Sequence, residues 1–261
     1  MILTILRGIA LAVALAACSA PDAGSPGAGG PPTEVVVMGM IHSGHRTSEI
    51  YGLDRVRAIV RAVRPDEILC EIPPDRLDTA LEQYRTTGEI TESRVRVFPE
   101  YVDAIIPMME DAGFVLVPCA GWTHEMSDDR RAKLSEWRTT RPEESAEVEA
   151  AQDRADAQLA AEGLDEDPRT IHTERYDEIV RLGMEPYNRL FNDDLGPGGW
   201  DNINAAHFAL ISAAIDRNRG TGRRLLITFG AWHNSWFMDA LRERDDIVLR
   251  NLNEFLDEAD A

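Results

Sequence analysis

The sequence predicts an α/β fold: a central, mainly parallel β-sheet flanked by helices. Three observations point there. Short runs rich in Val, Ile and Leu recur at residues 34–38, 67–70, 114–118, 225–229 and 247–249. They are almost continuously apolar, as strands covered on both faces are. Longer stretches with helical periodicity lie between them, and strand–helix–strand at this spacing implies right-handed crossovers into a parallel sheet.

The chain opens with "MILTILRGIALAVALAACSA", one positive charge (Arg7) followed by a short apolar run that ends in small residues before Cys18. The run is short for a bilayer span and reads as a signal peptide at 1–17. It also resembles a bacterial lipobox, which implies lipidation at Cys18. Residues 18–33, rich in Gly, Pro, Ala and Ser, cannot build a core and read as a flexible tether. Residues 34–261 then form a single domain. Ser19 after the cysteine implies the periplasmic face of a bacterial outer membrane, with the membrane reached through the lipid alone. That compartment permits disulfides, so Cys70 and Cys119, both at strand ends, are either bridged or two buried thiols.

Helix signals fill the intervals. "TSEIYGLDRVRAIVRAVRP" offers Thr47 or Ser48 as a cap and stops before Pro65. "PDRLDTALEQYRTT" starts on Pro74, and "FPEYVDAIIPMMEDAG" runs to Gly113 with a kink or break expected at Pro107. A helical insertion at about 124–200 separates the third and fourth strands. Its segment 142–178 holds thirteen Asp and Glu against three Arg and reads as surface helices with weakly buried faces, the alternatives being a lid or a partner-binding arm. The Gly/Pro cluster at 196–199 is a loop. A net charge of −19 excludes nucleic acid as a partner, because like charges repel.

In a parallel sheet the carboxyl ends of all strands share one edge, and ligands bind in the crevice there. His42 follows the first strand in "GMIH", Glu71 closes the second, and His233 follows the fourth in "GAWH". Glycine is expected to let the chain turn sharply out of each strand. Two histidines and a glutamate can hold a divalent metal with open positions for water, which then ionises near neutral pH. They can equally work without metal, a neutral histidine acting as general base and a carboxylate orienting it. Among neighbouring residues, Arg76 either holds a substrate carboxylate or pairs with Glu71. His45 is a site residue or a solvated loop residue, and Trp232 and Trp236 line a substrate wall or fill the core. His124 lies beyond the third strand, His207 is read as packing and His172 as exposed. Tyr51 and Tyr101 form no clear haem-ligand pattern.

Gly39-Met-Ile-His42, "EIPPDR" with Glu71 and Arg76, and Gly230-Ala-Trp-His233 together resemble the TraB/Tiki superfamily, which includes erythromycin-esterase-like and ChaN-like proteins. "DNINAA" places Asn202 at that pattern's Asn, with Asp201 where its Arg would stand. The resemblance implies a hydrolase of peptide or ester bonds, using His42, Glu71 and His233 as metal ligands (Mn, Zn, Fe or Co) or as base, with Arg76 orienting substrate and His45, Asn202 and Trp232 contacting it. Its ChaN-like side implies instead a non-enzymatic lipoprotein that binds haem, metal or a peptide at the same crevice. A third reading makes the chain an envelope protein docking through the acidic insertion.

Overall fold

The computed structural model describes residues 30–260. The expected signal at 1–17, Cys18 and the tether up to residue 29 lie outside them. Among the described residues, β1 (Thr33–Met40), β2 (Glu67–Cys70), β3 (Val115–Pro118), β4 (Arg224–Gly230) and β5 (Ile247–Arg250) form one sheet. Its order is β3-β2-β4-β1-β5, and every pairing is parallel. The helices are α1 (Leu53–Val63), α2 (Leu77–Thr87), α3 (Ile106–Ala112), α4 (His124–Thr140), α5 (Pro142–Ala161), α6 (Pro168–Ile171), α7 (Glu174–Leu195), α8 (Trp200–Arg217), α9 (Asn234–Arg242) and α10 (Asn253–Ala259).

The period of two along each strand sorts its side chains onto two faces. Val36, Met38 and Met40 of β1 pack with Val56 and Ile59 of α1, Ile106 of α3 and Phe255 of α10. Val35 and Val37 pack with Ile211 and Ile215 of α8 and Phe237 of α9. The same sorting settles the cysteines. Cys70 belongs to the first face and Cys119 to the second, so the sheet separates their thiols, and both are free.

Helix ends follow local chemistry. Proline at 65 disfavours a helical residue before it, and Arg64 closes α1 in the left-handed region at φ 50°. Before α3, residues Glu100–Ile105 form a π-turn in which Ile106 N–H reaches back to Tyr101 O. Pro107 explains it. With no N–H to offer, proline leaves the Asp103 carbonyl free, and the Arg57 guanidinium takes it. The kink expected there is this turn, and it aims Glu100 into the protein.

The insertion differs from a wholly solvated excursion. α4 buries no side chain, but α5 buries Val148, Ala151, Ala155 and Leu159, and α7 lies against that stripe. Gly183 of α7 makes the approach possible, since a Cβ there would stand 2.7 Å from that of Ala155. Alanine and glycine bury little area each, so the composition looks polar while the backbones pack closely. The α5–α7 pair thereby reaches the carboxyl edge of the sheet and walls the crevice there.

Candidate active site

The two Gly-x-x-His motifs sit side by side because β1 and β4 are neighbours, with Met40 registered on Gly230. Each glycine makes room for the other motif. A Cβ on Gly230 would lie 2.6 Å from His42 Nε2, and one on Gly39 would lie 2.5 Å from Asn234 Nδ2 and 2.9 Å from Ala231 Cβ. Neither glycine needs the left-handed region: Gly230 has φ −49° and Gly39 is not among the positive-φ glycines. The expectation that glycine serves the turn is therefore corrected: it serves close packing between the motifs. The unusual backbone belongs to His42, at φ 49°, a strain of the kind that collects at functional sites.

Glu71 lies between the two imidazoles. His42 Nε2 stands 3.7 Å from Glu71 Oε2, and His233 Nε2 stands 4.0 Å from Glu71 Oε1. Both rings are held from behind through Nδ1. His42 Nδ1 is 2.7 Å from Glu100 Oε1, and His233 Nδ1 is 2.6 Å from Asn204 Oδ1. Asn204 Nδ2 donates to Trp200 O, which leaves Oδ1 as the acceptor and assigns the His233 proton to Nδ1. Glu100 accepts from His42 Nδ1–H in the same way. When the rings are neutral, each Nε2 lone pair is therefore turned toward Glu71. Such outer partners fix tautomer and ring orientation around metal sites and general bases alike.

Glu71 itself is fixed: Gly230 N–H donates to Oε2 at 2.7 Å, and its own N–H donates to Tyr101 Oη at 2.8 Å. Tyr101 in turn donates to Thr228 O, tying the ends of β2 and β4 together. Aromatic rings confine the imidazoles. His233 is sandwiched between Trp200, 4.7 Å away and nearly parallel, and Phe237 on its other face at 5.8 Å. Phe98 leans on His42 at 5.0 Å.

The electrostatics divide the histidines. Burial opposes charge on His42, but the hydrogen bond to Glu100 and the fields of Glu71 and Glu100 outweigh it, and the pKa is raised. For His233, burial, with repulsion from His207 and His42, holds the pKa well below the usual value. Burial raises the pKa of Glu71, against the lowering pull of His42 and the Gly230 N–H. His42 therefore binds a proton more readily than an ordinary imidazole, and His233 less readily.

A cleft of about 330 Å³ opens onto this cluster, bounded by Trp200, Trp232, Tyr176, Leu159 and the carboxylates of Asp156 and Asp165. His42, Glu71, His233 and Trp232 are thus brought together. Arg76 is not: it lies beside Asp75 and Glu92, at 3.1 and 3.7 Å, at the start of α2. His45 is buried with both ring nitrogens used, by Tyr51 O and Ile41 N–H. Asn202 is exposed and donates to Gly196 O in the preceding loop. The asparagine that meets a motif is Asn204, two residues on. His124 is exposed and pairs with Asp128. His172, read as exposed, is tied down instead, accepting from Gly39 N–H and contacting Pro168 O. His207 is fully buried edge-on to His233, as a packing residue would be. Tyr51 and Tyr101 are wholly buried, with their hydroxyls donated to the Gly39 and Thr228 carbonyls, so neither is offered to haem.

Sequence reasoning missed Glu100 and Asn204. A signal existed for both, a polar residue on an otherwise apolar helical face: Asn204 shares its face with His207 and Ile211, and Glu100 with Ala104. Among the described residues no three His, Cys, Asp or Glu side chains stand close enough to chelate an ion as placed. The donor set nonetheless suits a divalent cation chemically, with two oriented imidazole lone pairs and a carboxylate oxygen, Glu71 Oε1, that has no hydrogen bond among the described residues. Fold and site define an α/β protein with two interlocked Gly-x-x-His motifs around one buried glutamate. Comparison with protein-family models, with curated proteins and with solved structures gives no match.

Proposed function

We propose that the protein is a hydrolase of peptide or ester bonds, of the TraB/Tiki type that its motifs resemble, acting through water activated in this cleft. The observation that carries the reading is the pair of Nε2 atoms facing one buried carboxylate at 3.7 and 4.0 Å, each ring locked by its own Nδ1 partner. Two imidazoles that serve only packing need no such matched orientation.

In this reading a water held beside Glu71 Oε1 attacks the substrate carbonyl and passes a proton to His42 Nε2. The imidazolium is stabilised by Glu100 behind it. The tetrahedral adduct collapses as His42 returns the proton to the departing amine or alkoxide. His233, kept neutral, accepts a hydrogen bond from the same water and orients it. His42, Glu71 and His233 are also the residues that would hold a divalent ion, which when bound supplies Lewis acidity and a more acidic water. Trp200 and Trp232 offer apolar walls to the substrate, and the cleft carboxylates favour a neutral or cationic one.

The test is elemental analysis of the purified protein after incubation with Mn, Zn, Fe or Co, beside a His42→Ala/His233→Ala double variant, followed by a screen of peptide and ester substrates. Hydrolysis lost in the double variant supports the reading, and metal bound only by the wild type assigns the metal-dependent form. Absence of hydrolysis across the screen, with metal or haem held stoichiometrically, favours the binding-protein alternative, in which the lipoprotein sequesters its ligand at this crevice.

A further inference from the structure

Strand β5 stops at Arg250, which is registered on Val36, so beyond Val36 the strand β1 keeps a strand partner only in β4. Backbone groups on its open edge need other partners. Gly39 N–H donates to His172 Nε2 at 2.8 Å, and Ile41 N–H donates to His45 Nε2 at 3.1 Å. The strand end that leads to His42 is thus held by imidazoles where a longer β5 would have held it.

His172 belongs to the connection 162–173, which joins α5 to α7 and includes α6. Its Nδ1 stands 2.6 Å from the Pro168 carbonyl, which can only accept, so the ring proton is on Nδ1 and Nε2 offers a lone pair. An imidazolium carries a donor on each nitrogen. Protonation would set Nε2–H against Gly39 N–H, losing the bond and leaving two buried donors face to face. A carboxamide acceptor would hold at every pH, whereas this histidine holds only while neutral.

The same connection borders the histidine cleft through Asp165. Its other ties differ in kind. Ile171 is wholly buried, and that tie does not titrate. Arg169 pairs with Asp257 and Asp260 of α10 at 2.7 and 2.6 Å, exposed contacts that contribute little. Asp167 caps α6 by accepting from Arg169 N–H. The remaining charged groups near His172 stand around the cavity it lines: Glu174 and Asp177 of α7, Arg242 of α9 and Arg250 of β5. Burial, against the pull of the Pro168 carbonyl, lowers the His172 pKa to about 4.

We propose that His172 is an acid-released pin: while neutral it fastens the connection 162–173 to the strand that leads to His42, and on protonation it lets that border of the cleft open. The pin stands whether or not the cleft is catalytic, and only its effect on turnover rests on the hydrolytic reading.

The direction follows from linkage. A ring with a pKa near 4 when pinned and about 6.5 when released takes protons preferentially in the released state, so opening grows as pH falls between those values. From pH 7 to pH 5 the open population should rise about 20-fold. His42 and Glu71 act in the opposite sense, since their raised values make the folded site more stable in acid. His45, lowered by burial, acts in the same sense but on the Ile41 amide.

The test is amide exchange of the purified protein followed by NMR between pH 7 and pH 5, corrected for the intrinsic pH dependence of exchange. It reads Gly39 against Ile227 in the middle of β4. Gly39 protection should fall about 20-fold more than that of Ile227 in the wild type. In His172→Gln, which keeps a neutral acceptor at every pH, that extra loss should disappear. A histidine serving only as a structural hydrogen-bond partner would give no acid-dependent loss at Gly39. Protection that stays constant relative to Ile227, or that falls equally in His172→Gln, overturns the proposal. The first of these outcomes needs only the wild type, so the test stands even if the variant fails to fold.

Discussion

Replacing Glu100 with glutamine isolates the group that charges His42. The glutamate is fully buried in the π-turn and meets His42 Nδ1 at 2.7 Å. Glutamine keeps the shape and a neutral acceptor but removes the charge. Hydrogen bonds to charged groups contribute about 1.5–3 kcal/mol against roughly 1 for neutral ones. At 1.36 kcal/mol per pKa unit, the His42 pKa should fall by about 1 unit in Glu100→Gln. The assay is an NMR titration of the ring Cε1–H signals, six histidines in all, with His42 identified by its loss in His42→Gln. The linkage sign follows from the raised folded value. The stabilising contribution of His42 is complete below its unfolded pKa of about 6.5 and vanishes as pH rises through the folded value. Glu100→Gln should therefore lose more stability at pH 5.5 than at pH 8.5. If the cleft is hydrolytic, the rate should rise with pH through the His42 pKa, and the variant's midpoint should move down by the same amount. A His42 midpoint unchanged or raised in Glu100→Gln would refute this account of the site's electrostatics.

Gly230→Ala should displace the His42 ring, because the new methyl would sit 2.6 Å from Nε2. A destabilisation of about 1–3 kcal/mol by urea unfolding is expected, with the His42 pKa drifting back toward 6.5. Tyr101→Phe strips the Glu71 N–H of its acceptor in a fully buried place and should cost about 1–3 kcal/mol in the same assay. Asn204→Leu removes the acceptor from His233 Nδ1 and frees the tautomer, so hydrolysis, or the affinity for a divalent ion, should drop about 10–100-fold with little change in circular dichroism. His233 itself should take up its proton at a lower pH than His42 in the NMR titration, given the direction in which burial holds it.

Much of the frame was readable in advance. The five apolar runs at 34–38, 67–70, 114–118, 225–229 and 247–249 each lie on a strand of the sheet, with ends displaced by at most two residues. Buried parallel strands announce themselves because both faces must be apolar. The gathering of His42, Glu71 and His233 at one edge followed from parallelism alone. Arg76 and Asn202 did not join them, because a residue at the head of a helix can be aimed anywhere by that helix's packing. The thinly apolar face of α5 hid a wall of the cleft, since helices that meet through Ala155 and Gly183 need little hydrophobic area.

The sequence by itself determined the layered α/β class, the strands and the placement of two histidines and a glutamate at their carboxyl ends. Those follow from periodicities of two and 3.6 and from the common direction of parallel strands. Only the tertiary structure decided that β4 inserts between β2 and β1, so that each glycine faces the other motif. It alone brought Glu100 and Asn204 behind the imidazoles and set opposite proton affinities on His42 and His233. Those features depend on desolvation and on contacts between residues distant in the chain, 58 positions for His42 with Glu100 and 29 for His233 with Asn204, and a local pattern can mark a buried polar residue but not the partner it meets.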